Sequence, residues 1–137
     1  MPTVPVCIYM ALKAQLQSVP GLPALALPGK VFEPVAGTSW VEVMNITPEP
    51  ERIMISPNRK HNRLGTFQAL IYTPLEDMAY EASQELGGRV ANAFPVDFRM
   101  NFGGVTVRVV QEPAIGDGFR DRSWWVTPVR IRWQSLS

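Results

Sequence analysis

The sequence predicts an α+β fold, with about four to five strands and two helices in one domain of 137 residues. Three observations carry this. Residues 123–134, SWWVTPVRIRWQ, alternate with a period of two, the mark of a strand with one face on a core. Residues 4–18 and 74–94 carry apolar stripes at three- and four-residue spacing, the mark of helices. Residues 98–112 read as a β-hairpin, with Gly103-Gly104 as a two-residue turn that tolerates positive φ.

The elements follow in order. In the first helix Ile8, Leu12, Leu16 and Val19 form the stripe, with Thr3 as N-cap and Pro5 in the first turn. Pro20-Gly21 ends it. Residues 20–38 form an apolar, Pro- and Gly-punctuated loop that must pack. Residues 39–46, SWVEVMNI, make the first strand, with both faces partly covered. Residues 64–73, LGTFQALIYT, make the second. The second helix is expected to start with Thr73 as N-cap, Pro74 at the first position and Glu76 closing a capping box. Its stripe is Met78, Ala82, Leu86, Val90 and Phe94. Gly87-Gly88 interrupts it, marking either a kink or a close backbone approach, and Pro95 ends it. Residues 113–122 read as a polar connection. In the last strand Trp125, Thr127, Val129, Ile131 and Trp133 face the core. Pro128 lacks an N–H, so it marks a sheet edge or a bulge where pairing changes.

Residues 47–63, TPEPERIMISPNRKHNR, fit no regular element. So long a connection in a compact domain is usually functional or disordered. Its centre, Ile53-Met54-Ile55, is too apolar for disorder. The acidic residues Glu49 and Glu51 and the basic residues Arg59, Lys60, His61 and Arg63 flank it. This reads as an arm or long hairpin that lays its centre on a neighbouring subunit or back on its own domain. Asp77, Glu81 and Glu85 recur every fourth residue. They make either a plain solvated face or a patch that meets the basic flank Arg59, Lys60 and Arg63 of another copy.

Composition narrows the function. Charged residues are 18% of the chain, against about 25% in an average soluble domain, which suits a surface that partners cover. The net charge of +1 argues neither for nor against nucleic acid. Cys7 is the single cysteine, so an internal disulfide is excluded. No run of 18 apolar residues occurs, so neither a transmembrane helix nor a membrane partner is expected. The first residues lack a positive n-region, and no signal peptide is read there. His61 is the single histidine, and no G-x-S-x-G, Walker or dinucleotide motif occurs. An enzyme is therefore not expected, nor a metal or other cofactor. A small nucleic-acid-binding domain, using Arg59, Lys60, Arg63, Arg120, Arg122, Arg130 and Arg132, is the rival reading from another class.

Several motifs carry a resemblance. A helix leads into Phe32-x-Pro34 and Gly37-x-x-Trp40-Val41-x-Val43. Then come 67-FQALIYTP-74, the small-residue helix 82-ASQELGGRVANAF-94, a valine strand and 124-WWVTPVRIRW-133. Over residues 5–134 this resembles the tail terminator proteins of long-tailed bacteriophages. A Gly-rich turn usual in that family is here the tighter Thr73-Pro74-Leu75-Glu76. The resemblance implies a mainly antiparallel sheet flanked by helices. It implies a structural virion protein, made in the host cytoplasm and placed at the head–tail junction. That protein forms a homohexameric ring, caps the tail tube and ends its polymerisation. Its partners would be other copies of itself, the tail tube protein and a head-completion or connector protein. DNA would pass through the lumen without sequence readout. Another neck component, such as a stopper, is the nearest alternative. On this reading Ile53, Met54, Ile55, Arg59, Lys60 and Arg63, with Asp77, Glu81 and Glu85, are interface residues. Arg130 and Arg132 line the DNA channel or a subunit contact.

Overall fold

The computed structural model describes residues 3–47, 51–52 and 61–136. Helix α1 (Val4–Gln17) leads into the short strand β1 (Ala24–Ala26) and then β2 (Trp40–Ile46). The two-residue β3 (Glu51–Arg52) and the long β4 (His61–Pro74) follow, then helix α2 (Ala79–Asn92). The hairpin β5 (Arg99–Phe102) and β6 (Val105–Val109) comes next. Two short strands, β7 (Ala114–Ile115) and β8 (Phe119–Asp121), precede β9 (Trp124–Leu136). The class is α+β, as the sequence implies, with more strands than the four to five expected. The sheet order is β1-β2-β4-β9-β6-β5, with β3 on β4 and with β7 and β8 on β9. Every pairing is antiparallel except β1 with β2.

Register sets the two faces. The inner face stacks Val43-Ala69-Val129, Val41-Ile71-Thr127 and Asn45-Phe67-Ile131 across β2, β4 and β9. Except for half-buried Asn45, these side chains are buried. On β6, Val105, Val107 and Val109 extend this face, and Val109 opposes Trp133. The α1 stripe Ile8, Leu12, Leu16 and Val19 is buried in the same cluster. Each such aliphatic side chain contributes about 1.5–3 kcal/mol relative to leaving it exposed. Gly103 and Gly104 both have positive φ, 57° and 80°, as the hairpin turn requires.

Strand β9 is central, with β4 along one side and β6, β7 and β8 along the other. Pro128 is therefore not at a sheet edge. It falls where the partner on one side changes, since β8 reaches Val126 and β7 begins at Val129. There Gly116 N–H donates to the Pro128 carbonyl at 2.9 Å. A missing N–H is tolerated where the ladder is interrupted. The connection expected at 113–122 thus contains two strands. Both are too short to show a period, and both exist because β9 offers them a template.

The second helix departs from expectation. Thr73 and Pro74 are the last residues of β4, opposite Trp125 and Trp124, and the helix begins only at Ala79. A cap contributes about 1 kcal/mol. Continuing the ladder with β9 outweighs it, although it leaves the Thr73 hydroxyl buried without a hydrogen-bond partner among the described residues. The stripe is rotated by one residue as well. Ala79, Ser83, Gly87, Val90 and Ala91 face the sheet, while Met78 and Ala82 are exposed. Val90 and Phe94 are buried as expected. Small residues win because α2 lies close on β9. A Cβ on Gly87 would sit 3.2 Å from Ile115 Cγ2 and 3.4 Å from Val129 Cγ2. The Gly pair therefore marks a close approach, and the helix runs through it. At the first helix, Thr3 occupies the N-cap position without a side-chain capping bond.

Candidate assembly surface

The outer face of the sheet is built by the alternate residues of β2, β4 and β9. Its first third is aromatic. Trp40 stacks on its cross-strand partner Tyr72 with ring centroids 3.9 Å apart and planes 6° apart. Trp124 stands edge-on to both, at 6.1 Å and 6.4 Å, and Phe32 covers Trp40 at 5.2 Å. Burial raises the Tyr72 phenol above its ordinary range, and the carboxylates of Glu42 and Asp121 add to the shift. The Trp40 indole N–H is buried and has no hydrogen-bond acceptor among the described residues.

The rest of this face mixes apolar bulk and positive charge. Met44, Ile46 and Leu64 are exposed. Arg130 and Arg132 stand beside them in register, Met44-Gln68-Arg130 and Ile46-Thr66-Arg132. Arg130 Nε donates to Gln68 Oε1 at 3.2 Å. At the far side Arg108 donates to Asp97 at 2.7 Å and to Gln134 at 2.8 Å, and Gln134 donates to Asn62 at 2.7 Å. This polar ladder ties β6, β9 and β4 together.

The acidic residues lie elsewhere. Glu81 and Glu85 are exposed on α2, which covers the inner face, so the sheet separates them from Arg130 and Arg132. Glu85 pairs within its own helix with Arg89 at 3.6 Å. Asp77 lies in the turn before α2, so the three carboxylates do not share one helix. Arg63 is in β4 opposite Ser135, half-buried, with its Nε lacking a partner among the described residues. Ile53, Met54, Ile55, Arg59 and Lys60 lie outside the described residues. The base of their arm is described. β3 continues the β2–β4 hairpin, pairing Glu51 with Asn62 and Arg52 with His61, with the register displaced by one residue.

Sequence reasoning did not single out Met44, Ile46 and Leu64. The signal was present, since Met44 and Ile46 alternate with the core residues Val41 and Val43. Only the structure shows that nothing in the described chain covers them. Among the described residues no group of three His, Cys, Asp or Glu could hold a metal ion. No described helix is long and apolar enough to cross a membrane.

A family model described as phage tail terminator protein matches residues 7–133. No curated protein matches. Two solved structures share the fold. One, whose name carries no functional description, is 21% identical with a TM-score of 0.66, over 96% of this chain and 92% of that one. The other, from the virion of a native gene transfer agent particle, is 12% identical with a TM-score of 0.67, over the whole of both chains. The chain belongs to the phage tail terminator family and is a structural protein of the bacteriophage virion tail.

Proposed function

We propose that the chain is a single domain that closes into a homohexameric ring on the tail tube. The ring ends tube polymerisation and offers the surface that joins tail to head. Its partners are the tail tube protein on one side and a head-completion or connector protein on the other. DNA passes through the lumen without sequence readout. The observation that carries this reading is the family match over residues 7–133.

The surface chemistry supports it. A closed ring needs a heterologous interface, in which two different patches of one chain meet. Here acidic side chains, Glu81 and Glu85, sit on the helical side, while Arg130 and Arg132 sit on the opposite side with exposed Met44 and Ile46. Opposite charge on separate patches favours head-to-tail contact over face-to-face contact. In this ring Arg130 and Arg132 face the channel or a neighbour. The arm at 47–63 contacts the adjacent subunit or the last tube ring, with Ile53, Met54 and Ile55 as anchor and Arg59, Lys60 and Arg63 as charged flank. Asp77, Glu81 and Glu85 receive that flank.

Native mass measurement with negative-stain imaging, alone and with tail tube protein, tests the ring. A six-fold ring with a central hole is expected in at least one of the two samples. Deleting residues 50–60, with circular dichroism as a folding control, is expected to abolish it. A folded deletion variant that still forms the ring and blocks tube growth would refute the role of the arm.

A further inference from the structure

We infer that the outer sheet face of one copy, from Met44 and Ile46 to Arg130 and Arg132, receives the exposed side of helix α2 of a second copy. This rests on the ring reading above. It deepens that reading by giving the two arginines a neighbour, and not the channel, to face.

The sheet face is open and mixed in character. The rows Met44-Gln68-Arg130 and Ile46-Thr66-Arg132 cross β2, β4 and β9, and Leu64 lies one row further on. Met44, Ile46, Leu64, Arg130 and Arg132 are all exposed. Neither arginine forms an ion pair among the described residues. Exposed Met and Arg side by side are the composition of a protein contact. A phosphate backbone would use the charges and leave the apolar side chains in water.

The outer side of α2 carries the complementary character. Glu81 and Glu85 are exposed one turn apart, and Met78 and Ala82 are exposed beside them. The chain's own α2 cannot make this contact. It packs on the inner face through Ser83 and Gly87, with the sheet in between. The two surfaces thus point to opposite sides of the domain. Each copy can offer one to each neighbour, as a heterologous interface requires.

Dimensions and charge spacing match. α2 has 14 residues, so it is about 21 Å long at ~1.5 Å per residue. On β4, Leu70 to Leu64 spans roughly 20 Å at ~3.3 Å per residue. From β2 to β9 is about 10 Å, the width of a helix. Glu81 and Glu85 stand about 6 Å apart along the helix, and Arg130 and Arg132 about 6.6 Å apart along β9. With α2 antiparallel to β9, Glu81 meets Arg132, Glu85 meets Arg130 and Met78 comes level with Leu64. The next turn then brings Arg89 to the row of Glu42, in the groove that Lys30 also lines. The reverse direction would bring Arg89 to the row of Gln134, against Arg108, so charge selects the antiparallel one. Within its own helix Glu85 is held by Arg89 at 3.6 Å, but both are exposed, and such a pair is weak enough to share.

The test reverses charges in the full chain and reads native mass, with and without tail tube protein, beside circular dichroism. Arg130→Glu/Arg132→Glu and Glu81→Arg/Glu85→Arg are each expected to fold and to weaken subunit association at least about ten-fold, because like charges then meet. Mixing the two variants is expected to restore a ring in which they alternate, since each supplies the face that the other lacks. One chain carrying all four changes is expected to recover as well. If a reversal variant fails to fold, Arg130→Gln/Arg132→Gln decides the matter, with a several-fold weakening expected. Undiminished association of the arginine variants overturns the inference, as does loss in both reversal variants with no recovery on mixing. A six-fold wild-type ring beside either result leaves the ring reading standing with its interface elsewhere. Weaker retention of double-stranded DNA by Arg130→Glu/Arg132→Glu would then assign these arginines to the channel, and loss of tube capping alone would assign them to the tube. No wild-type ring in either sample overturns both readings.

Discussion

Gly65 and Trp133 are cross-strand partners, and the indole lies where a side chain on Gly65 would be. A Cβ there would stand 2.3 Å from Trp133 Cζ2 and 2.9 Å from the Ile46 carbonyl oxygen. Trp133 is buried, and its Nε1 donates to Asn45 Oδ1 at 3.0 Å, which holds the ring in place. Gly65→Ala is therefore expected to destabilise the fold by about 1–3 kcal/mol through overpacking. Urea denaturation measures this. Trp133→Phe is destabilising alone, but combined with Gly65→Ala it should cost less than the sum of the two. Strict additivity would refute the clash.

Ser83 Oγ on α2 donates to Thr127 Oγ1 on β9 at 2.5 Å, a buried hydroxyl pair that joins helix to sheet. Ser83→Ala leaves the Thr127 hydroxyl buried without that partner. A loss of about 1–3 kcal/mol is expected. Adding Thr127→Val removes the orphaned group and should recover part of the loss. A double-mutant cycle from thermal denaturation checks the coupling. A coupling of zero would mean that the pair does not hold α2 to β9.

The two adjacent glycines of α2 should respond in opposite ways. Nothing lies within 4 Å of a Cβ built on Gly88. Gly88→Ala should stabilise by about 0.5–1 kcal/mol through helix propensity and lower unfolded-state entropy. Gly87 faces Ile115 and Val129, so Gly87→Leu should destabilise by about 1–3 kcal/mol, because the helix must lift from the sheet. Melting temperatures of the two variants test this. A rise for Gly87→Leu would overturn the close-packing account.

Stability should fall at high pH in part because of Tyr72. Burial, then Glu42 and Asp121, raise its folded pKa above the ordinary 10.0. The folded state therefore holds the proton more tightly than the unfolded chain. The stabilisation is complete below pH 10.0 and is lost as pH rises through the folded value. Tyr9 is raised by burial in the same sense. Urea midpoints measured across this range should decline less steeply for Tyr72→Phe than for the wild type. Equal slopes would refute the assignment.

Much of the fold is legible along the chain where a periodic pattern is long enough. The α1 stripe, the alternation of β4 and β9 and the Gly103-Gly104 turn all appear as read, because a half-covered element must repeat its apolar residues at its own period. The site is less legible. Arg130 and Arg132 do lie on the exposed face, but Asp77 drops off the helix, and the importance of Met44 and Ile46 is invisible until their cover is known.

What the sequence alone determined is the class of the fold, the inward face of each long strand and the family to which the chain belongs. What only tertiary structure decided is where β4 stops and α2 begins, which side of α2 is buried, and that Pro128 lies in a central strand. It also decided that β1, β7 and β8 exist. The physical reason is the same in each case. A cap, a propensity or a two-residue strand carries about 1 kcal/mol or less of local preference. The choice then falls to the partner, here mainly β9, whose ladder and buried face offer several times that amount.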